Sequence, residues 1–246
     1  MFHRSSTVSC GTCPIRKRAV CAECSSDELD MLEQAKSYRT YPAGTTIVGA
    51  GEMLTHFSSI VIGCATLSRT LEDGRRQNVG LLLPSDYIGR PGRSRSAFDV
   101  VALSDTVLCR FERTEFEKIC RTTPHIASRL LTMTLDELDA ARDWTVVLGR
   151  MTAREKVASF LVNLARRQSR VDMAPLPENG VTVRLPLSRE EMANHLGLTI
   201  ETTSRQITAL RKSGLIDTQG SRYIRIPDFE ALAIEAGDDE DGGLIV

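Results

Sequence analysis

The chain has 246 residues, 41% hydrophobic and 26% charged, which excludes a mainly disordered protein and is enough for one large domain or two smaller ones. Its longest nearly apolar runs, such as 60–67, are too short to cross a bilayer, and residues 1–6 lack the apolar core of a secretory signal, so a cytoplasmic protein with no membrane partner is expected. The formal net charge of -1 is unevenly spread: residues 1–149 are neutral, 150–226 carry +6 and 227–246 carry -7, a basic segment before an acidic tail that suits nucleic-acid binding.

Residues 1–28 form a Cys-rich leader. It holds four of the seven cysteines, Cys10-x2-Cys13 and Cys21-x2-Cys24, separated by seven residues. In a cytosolic chain this pattern points to metal or cluster ligation rather than disulfides. The leader contains too little apolar material for a core, so a metal or cluster is expected to order it. A short helix is expected over 29–36. From Tyr38 to Phe111 short apolar runs alternate with turn signals, giving strand candidates at 45–48, 57–62, 65–71, 77–83, 99–102 and 106–111. Asp73-Gly74 between two such runs is a hairpin signal. The spacing predicts an antiparallel sandwich or jelly roll, a sensor-sized domain over 29–122.

A short helix at 113–122 stops before Pro124. The longest helical pattern follows, over 124–150, within a segment bounded at 123–150. It carries two apolar stripes: Ala127, Leu131, Leu135, Leu138, Ala141 and Leu148, and beside them Ile126, Leu130, Met133, Ala140, Trp144 and Val147. One stripe suffices to pack on the sandwich; two suggest the same helix of a second copy. The expected dimer contacts are Ile126, Leu130, Met133, Glu137, Leu138, Ala141, Trp144 and Leu148.

Another amphipathic helix is expected at 152–167, then a polar connection and a strand at 181–185. The segment 187–210 reads as a helix-turn-helix. Ser188 with Glu191 opens the first helix as a capping box, Gly197 permits the sharp turn, and Thr199 caps the second helix. Ile200, Thr203, Ile207 and Leu210 are expected to face inward. Glu201, Ser204 and Arg205 then share an outward face. Arg suits guanine O6 and N7, Glu suits cytosine N4, and Ser suits base or phosphate; Arg184 and Arg189 are the expected phosphate contacts. The rival reading is a Glu201–Arg205 surface ion pair. Residues 215–226, with Gly220-Ser221 as a turn, resemble the hairpin of a winged variant. The winged domain is thus placed at 151–227 and an acidic tail at 228–246.

The run Leu198-Thr-Ile-Glu-Thr-Thr-Ser-Arg, the helix 152–161 and the segment 134–148 resemble the CRP/FNR family of transcription regulators, and the stretch 80–93 together with the cysteine leader narrows the likeness to the FNR-type, oxygen-responsive branch. The resemblance covers nearly the whole chain. It implies an α+β fold with an N-terminal antiparallel β-roll (jelly-roll) sensor domain, a long dimerisation helix and a C-terminal winged helix-turn-helix. It implies a homodimer on double-stranded DNA, an inverted repeat with TTGAT-type halves read by Glu201, Ser204 and Arg205, and work with RNA polymerase as an activator. It also implies a [4Fe–4S] cluster on Cys10, Cys13, Cys21 and Cys109, loaded at low oxygen; each iron of the cube needs one thiolate. Cys24 stays a rival to Cys21. Cyclic-nucleotide binders carry a Glu where this chain has Arg90, and His3, His56, His125 and His195 form no haem signature; a lone His is read as a surface residue. Cys64 and Cys120 read as core residues. Three alternatives remain: a four-cysteine zinc site in the leader, a cluster-free regulator using redox-active thiols, and a zinc-binding scaffold without specific DNA recognition. No nucleophile–base constellation or phosphate loop is present, so no enzyme is expected.

Overall fold

The computed structural model describes residues 9–177 and 179–237. His3 and the 238–246 part of the acidic tail lie outside the described residues. Two compact units emerge, one of residues 1–69 and 79–134, the other of 70–78 and 135–246.

The first unit opens with a 3-10 turn at Cys10–Thr12 and helix α1 (Ser26–Ala35), whose start is fixed by a capping box between Ser25 and Glu28. Strands β1 (Lys36–Tyr41), β2 (Thr46–Val48), β3 (His56–Ile62), β4 (Ala65–Thr70), β5 (Arg76–Leu82), β6 (Tyr87–Ile88), β7 (Asp99–Ala102) and β8 (Thr106–Glu112) follow, the β4–β5 hairpin at residues 70–78 grouping with the second unit. They build two four-stranded sheets, ordered β1-β8-β3-β6 and β2-β7-β4-β5. β8 pairs antiparallel with β1 and β3, β3 with β6, and β7 with β2 and β4, the roll expected from the alternating runs. Between β4 and β5 the chain turns at Asp73-Gly74: Gly74 has φ 86°, and the Asp73 carboxylate accepts from the Arg75 backbone.

Strand β8 shows how two cores arise from one sheet. Side chains alternate across it. Leu108 joins Ile60, Ile88 and Val100 inside the roll, whereas Cys109 and Phe111 join Phe57 and Val61 on the other face. That outer face is covered by the leader, α1, helix α2 (Arg113–Thr122) and the start of helix α3 (Pro124–Arg150).

Two expectations change here. The leader does contribute a core: Ile15, Ala19 and Val20 are each at most 3% exposed and pack with Leu32, Phe116 and Ile119. Ile126 is fully buried in the same cluster, with Leu130 and Met133 packed against it. That stretch of α3 faces its own chain, so Ile126 is not available to a second copy. The stripe left outside is the other one, with Leu131, Leu135 and Leu138 at 60, 50 and 44% exposure and Glu137 and Ala141 also exposed.

The second unit contains helix α4 (Ala153–Asp172), strand β9 (Val181–Arg184), helices α5 (Arg189–Leu196) and α6 (Ile200–Lys212), strands β10 (Asp217–Gln219) and β11 (Tyr223–Ile226), and helix α7 (Phe229–Glu235). The strands form a sheet ordered β10-β11-β9. Helix α7 falls where the tail was expected to start: Asp228 caps it, Leu232 and Ala236 are fully buried, and Glu235 pairs with Arg154 of α4. Among the described residues no helix is long and apolar enough to cross a membrane.

A cysteine-lined cavity and a recognition helix

In the first unit, the middle of the sheet's outer face forms the floor of a cavity. Antiparallel register sets Cys109 of β8 opposite Tyr38 of β1 on one side and Ser59 of β3 on the other. All three line the cavity with Phe111, and the leader closes it with Cys10, Cys13, Ile15, Ala19, Val20 and Cys21. Its enclosed volume is about 20 Å³, room for about one water molecule, and it opens to solvent at its mouth. Four thiols from positions 10, 13, 21 and 109 thus share one nearly apolar chamber. Cys24 is buried but does not line it, and Cys64 and Cys120 lie elsewhere.

Burial controls these thiols. It pushes Cys10 up to about 11 and Cys109 up to about 12, and raises Cys21. Cys24 rises to about 12 for the same reason, despite Arg16 nearby. Cys10, Cys21, Cys24 and Cys109 are therefore protonated at neutral pH, and binding a metal group to any of them must release protons. The Ser59 hydroxyl is buried with no hydrogen-bond partner, which is costly unless something in the chamber receives it. Among the described residues no three His, Cys, Asp or Glu side chains converge closely enough to hold one metal ion. A single zinc needs its ligand atoms about 2–2.3 Å from one point. Four cysteines that line one cavity without converging on a point, beside an orphaned hydroxyl, fit by donor type a group that takes one thiolate at each of several metal atoms.

Several supporting residues escaped sequence reasoning. The Arg16 guanidinium donates to the carbonyls of Cys21 (2.6 Å), Ala22 (2.6 Å) and Cys24 (2.8 Å), pinning the turn that carries the third thiol. Arg129 of α3 donates to the Arg18 carbonyl, and His125 meets Glu28, fastening leader and α1 to α3. Glu33 and Lys36 sit beside Cys10. In sequence these are ordinary surface charges, and only their partners give them meaning.

In the second unit, Ser188 and Glu191 form the expected capping box, Gly197 closes α5 at φ 62°, and the Thr199 side chain accepts from Thr202 N to start α6. Thr203, Ile207 and Leu210 are buried as expected, but Ile200 is 44% exposed because it lies in the first turn, ahead of the packed face. Glu201 and Arg205 are exposed and Ser204 is half-buried. No ion pair joins Glu201 to Arg205; Arg205 donates to Thr202 Oγ1 at 3.1 Å. Arg189 is half-buried, with Nη1 on the Met192 sulfur at 3.5 Å.

His195 differs from its expected surface role. It is buried, stacked on Trp144 with ring centroids 4.6 Å apart and edge-on to Phe160. Its Nδ1 lies 3.0 Å from the Asn78 carbonyl, and burial pushes it down to about 4. Asn78 and Gln77 return hydrogen bonds to the carbonyls of Glu191 and His195. Trp144 is thereby engaged within its own chain, although it was expected at the dimer contact.

Comparisons agree with this architecture. The cyclic nucleotide-binding domain family matches residues 38–123 and the Crp-like helix-turn-helix domain family matches 155–234. The chain is 56% identical to the transcriptional activator protein FnrL of Cereibacter sphaeroides over 238 residues, 96% of this chain and 95% of that protein. It is 36% identical to the nitrogen fixation regulation protein FixK of Bradyrhizobium diazoefficiens, over 84% of this chain and 85% of that one. Among solved structures, FixK2 from Bradyrhizobium japonicum superposes with a TM-score of 0.73 at 31% identity, covering 81% of this chain and 96% of that chain. Its relatives are regulators rather than enzymes, and the chain itself belongs to the CRP/FNR family of DNA-binding transcription regulators.

Proposed function

We propose that this protein is an oxygen-sensing transcription activator that holds a [4Fe–4S] cluster on Cys10, Cys13, Cys21 and Cys109. In this reading the loaded form binds an inverted repeat of TTGAT-type halves as a cytoplasmic homodimer and recruits RNA polymerase. The observation that carries the reading is the shared chamber: the four thiols that line it are the four a cube requires. The absence of Cys24 from its walls favours Cys21 as the third leader ligand.

When bound, the cluster supplies an oxygen-reactive centre. The chain's own residues do the rest. Ile15, Ala19, Val20 and Phe111 exclude water from the thiols. Arg16 fixes the Cys21 turn, and Ser59 offers a hydroxyl to a sulfur acceptor. Because the leader also packs against Ile126, Leu130 and Met133, a change in the leader reaches α3 directly. The exposed stripe Leu131, Leu135 and Leu138 is the surface offered to a second copy. Asp136, Glu137, Asp139 and Asp143 add like-charge repulsion at that contact, so the dimer depends on how the cluster holds α3. On DNA, Glu201, Ser204 and Arg205 read base edges and Arg189 contacts phosphate. The name of the FnrL relative supports activation.

The test is DNA affinity under anaerobic and air-exposed conditions, with an inverted-repeat TTGAT duplex and a scrambled one. The expected result is tight, sequence-selective binding only by the anaerobic protein. Equal affinity in both states would overturn oxygen sensing.

A further inference from the structure

The Cys10 thiol carries a charge pair that the ligand set does not require. Lys36 Nζ donates to Cys10 Sγ at 3.6 Å and to Glu33 Oε2 at 2.7 Å; the same carboxylate oxygen accepts from Cys10 N at 2.6 Å. The Lys36 side chain is only 4% exposed, whereas that of Glu33 is 37% exposed. Lys36 begins β1, two residues before Tyr38 in the cavity wall, and its ammonium lies 5.1 Å from the Tyr38 ring centroid. Hiding an ammonium is expensive unless it is paired. Here it is pinned by a carboxylate, a ring face and a thiol, with the thiol on the cavity side.

Four thiolates on a cluster concentrate negative charge in a nearly apolar chamber, and hydrogen bonds and charges at the sulfurs set the potential of such a group. We propose that Lys36, oriented by Glu33, is the positioning residue and charge partner of the Cys10 thiolate, and that it slows loss of the cluster to dioxygen. The proposal rests on the cluster reading above. Loss of a bound cluster to dioxygen would begin with one electron passing to dioxygen, giving superoxide, with no proton moved. A neighbouring positive charge disfavours removal of that electron; a neighbouring negative charge favours it. Lys36 and Glu33 therefore pull in opposite directions, which a merely structural pair would not do.

The experiment uses the full-length protein purified anaerobically, with wild type, Lys36→Met, Lys36→Arg and Glu33→Gln side by side. Iron and sulfide per chain are measured first, then the rate at which the visible band bleaches at a fixed dioxygen concentration. With near-normal iron, Lys36→Met should bleach about fivefold faster, equivalent to about 1 kcal/mol. Lys36→Arg should restore the wild-type rate, and Glu33→Gln should bleach more slowly than wild type. Unchanged rates in all three variants, or faster bleaching in both Lys36→Met and Glu33→Gln, would overturn the proposal while leaving the cluster reading intact. Wild-type protein without iron and sulfide would instead refute the cluster reading itself. If Lys36→Met fails to load, the Lys36→Arg and Glu33→Gln rates still decide: rescue with slowing supports the charge role, and any other pattern contradicts it.

Discussion

The cavity and the recognition helix handle polar chemistry in opposite ways. The cavity gathers four cysteines and a hydroxyl, Cys10 and Cys109 buried and Cys13 and Cys21 partly so, and surrounds them with Ile15, Ala19, Val20, Leu32 and Phe111. The helix turns Glu201 and Arg205 outward and keeps only Thr203, Ile207 and Leu210 for packing. An inward site answers to something small enough to be enclosed; an outward one answers to a surface. The difference also fixes what substitutions do. Removing a wall residue of the cavity should disturb loading and folding together. Removing an exposed residue of α6 should change recognition while leaving the fold in place.

The strongest way to break this contrast is Cys109→Ser. Its thiol lies on a strand in the middle of the floor, and the reading expects loss of most iron and sulfide under anaerobic conditions. Cys24→Ser, Cys64→Ser and Cys120→Ser should keep near-normal contents in the same assay. Loss of the cluster in Cys24→Ser with retention in Cys21→Ser would reassign the third ligand.

His195 sharpens the second side of the comparison. It belongs to the helix-turn-helix yet behaves like a core residue. Its value in the fold, about 4, lies below the ordinary 6.5, so the unfolded chain takes up the proton first as pH falls. The stability of the second unit should be complete above about pH 6.5 and decline towards pH 4, by about 3 kcal/mol in all. Urea unfolding between pH 7 and 4.5 measures this, and His195→Gln should lose that part of the slope.

Arg205→Ala should cost about 1–3 kcal/mol per half-site and relax preference at one base pair, without moving the melting temperature. Glu201→Ala should relax discrimination at its own base pair. Both are read as the ratio of affinities for specific and scrambled duplexes. The smallest effect belongs to a purely local device: Ser188→Ala removes the α5 cap and should destabilise the second unit by about 1 kcal/mol, measurable by chemical denaturation.

What sequence reading could reach follows the same division. The Asp73-Gly74 turn, the caps at Ser188 and Thr199 and the Gly197 stop act through neighbours within four residues, so their spelling sufficed. Strand β1 escaped because Lys-Ser-Tyr-Arg-Thr-Tyr shows no apolar alternation; its place comes from pairing with β8. Strand β6 has two residues, too few for any period. Ile126 was assigned to a dimer because helical spacing identifies an apolar face but not what covers it. Arg16, Glu33 and Lys36 owe their roles to partners across folded turns and a neighbouring strand, and His195 owes its burial to Trp144 and Asn78, far away in sequence.

We propose that the thiols of the leader and of β8 hold one iron–sulfur cube. Iron and acid-labile sulfide per chain, measured on anaerobically purified protein, test it most directly. About four of each are expected, with a broad visible absorption band that bleaches in air. A colourless protein carrying one zinc per chain and no labile sulfide would contradict it.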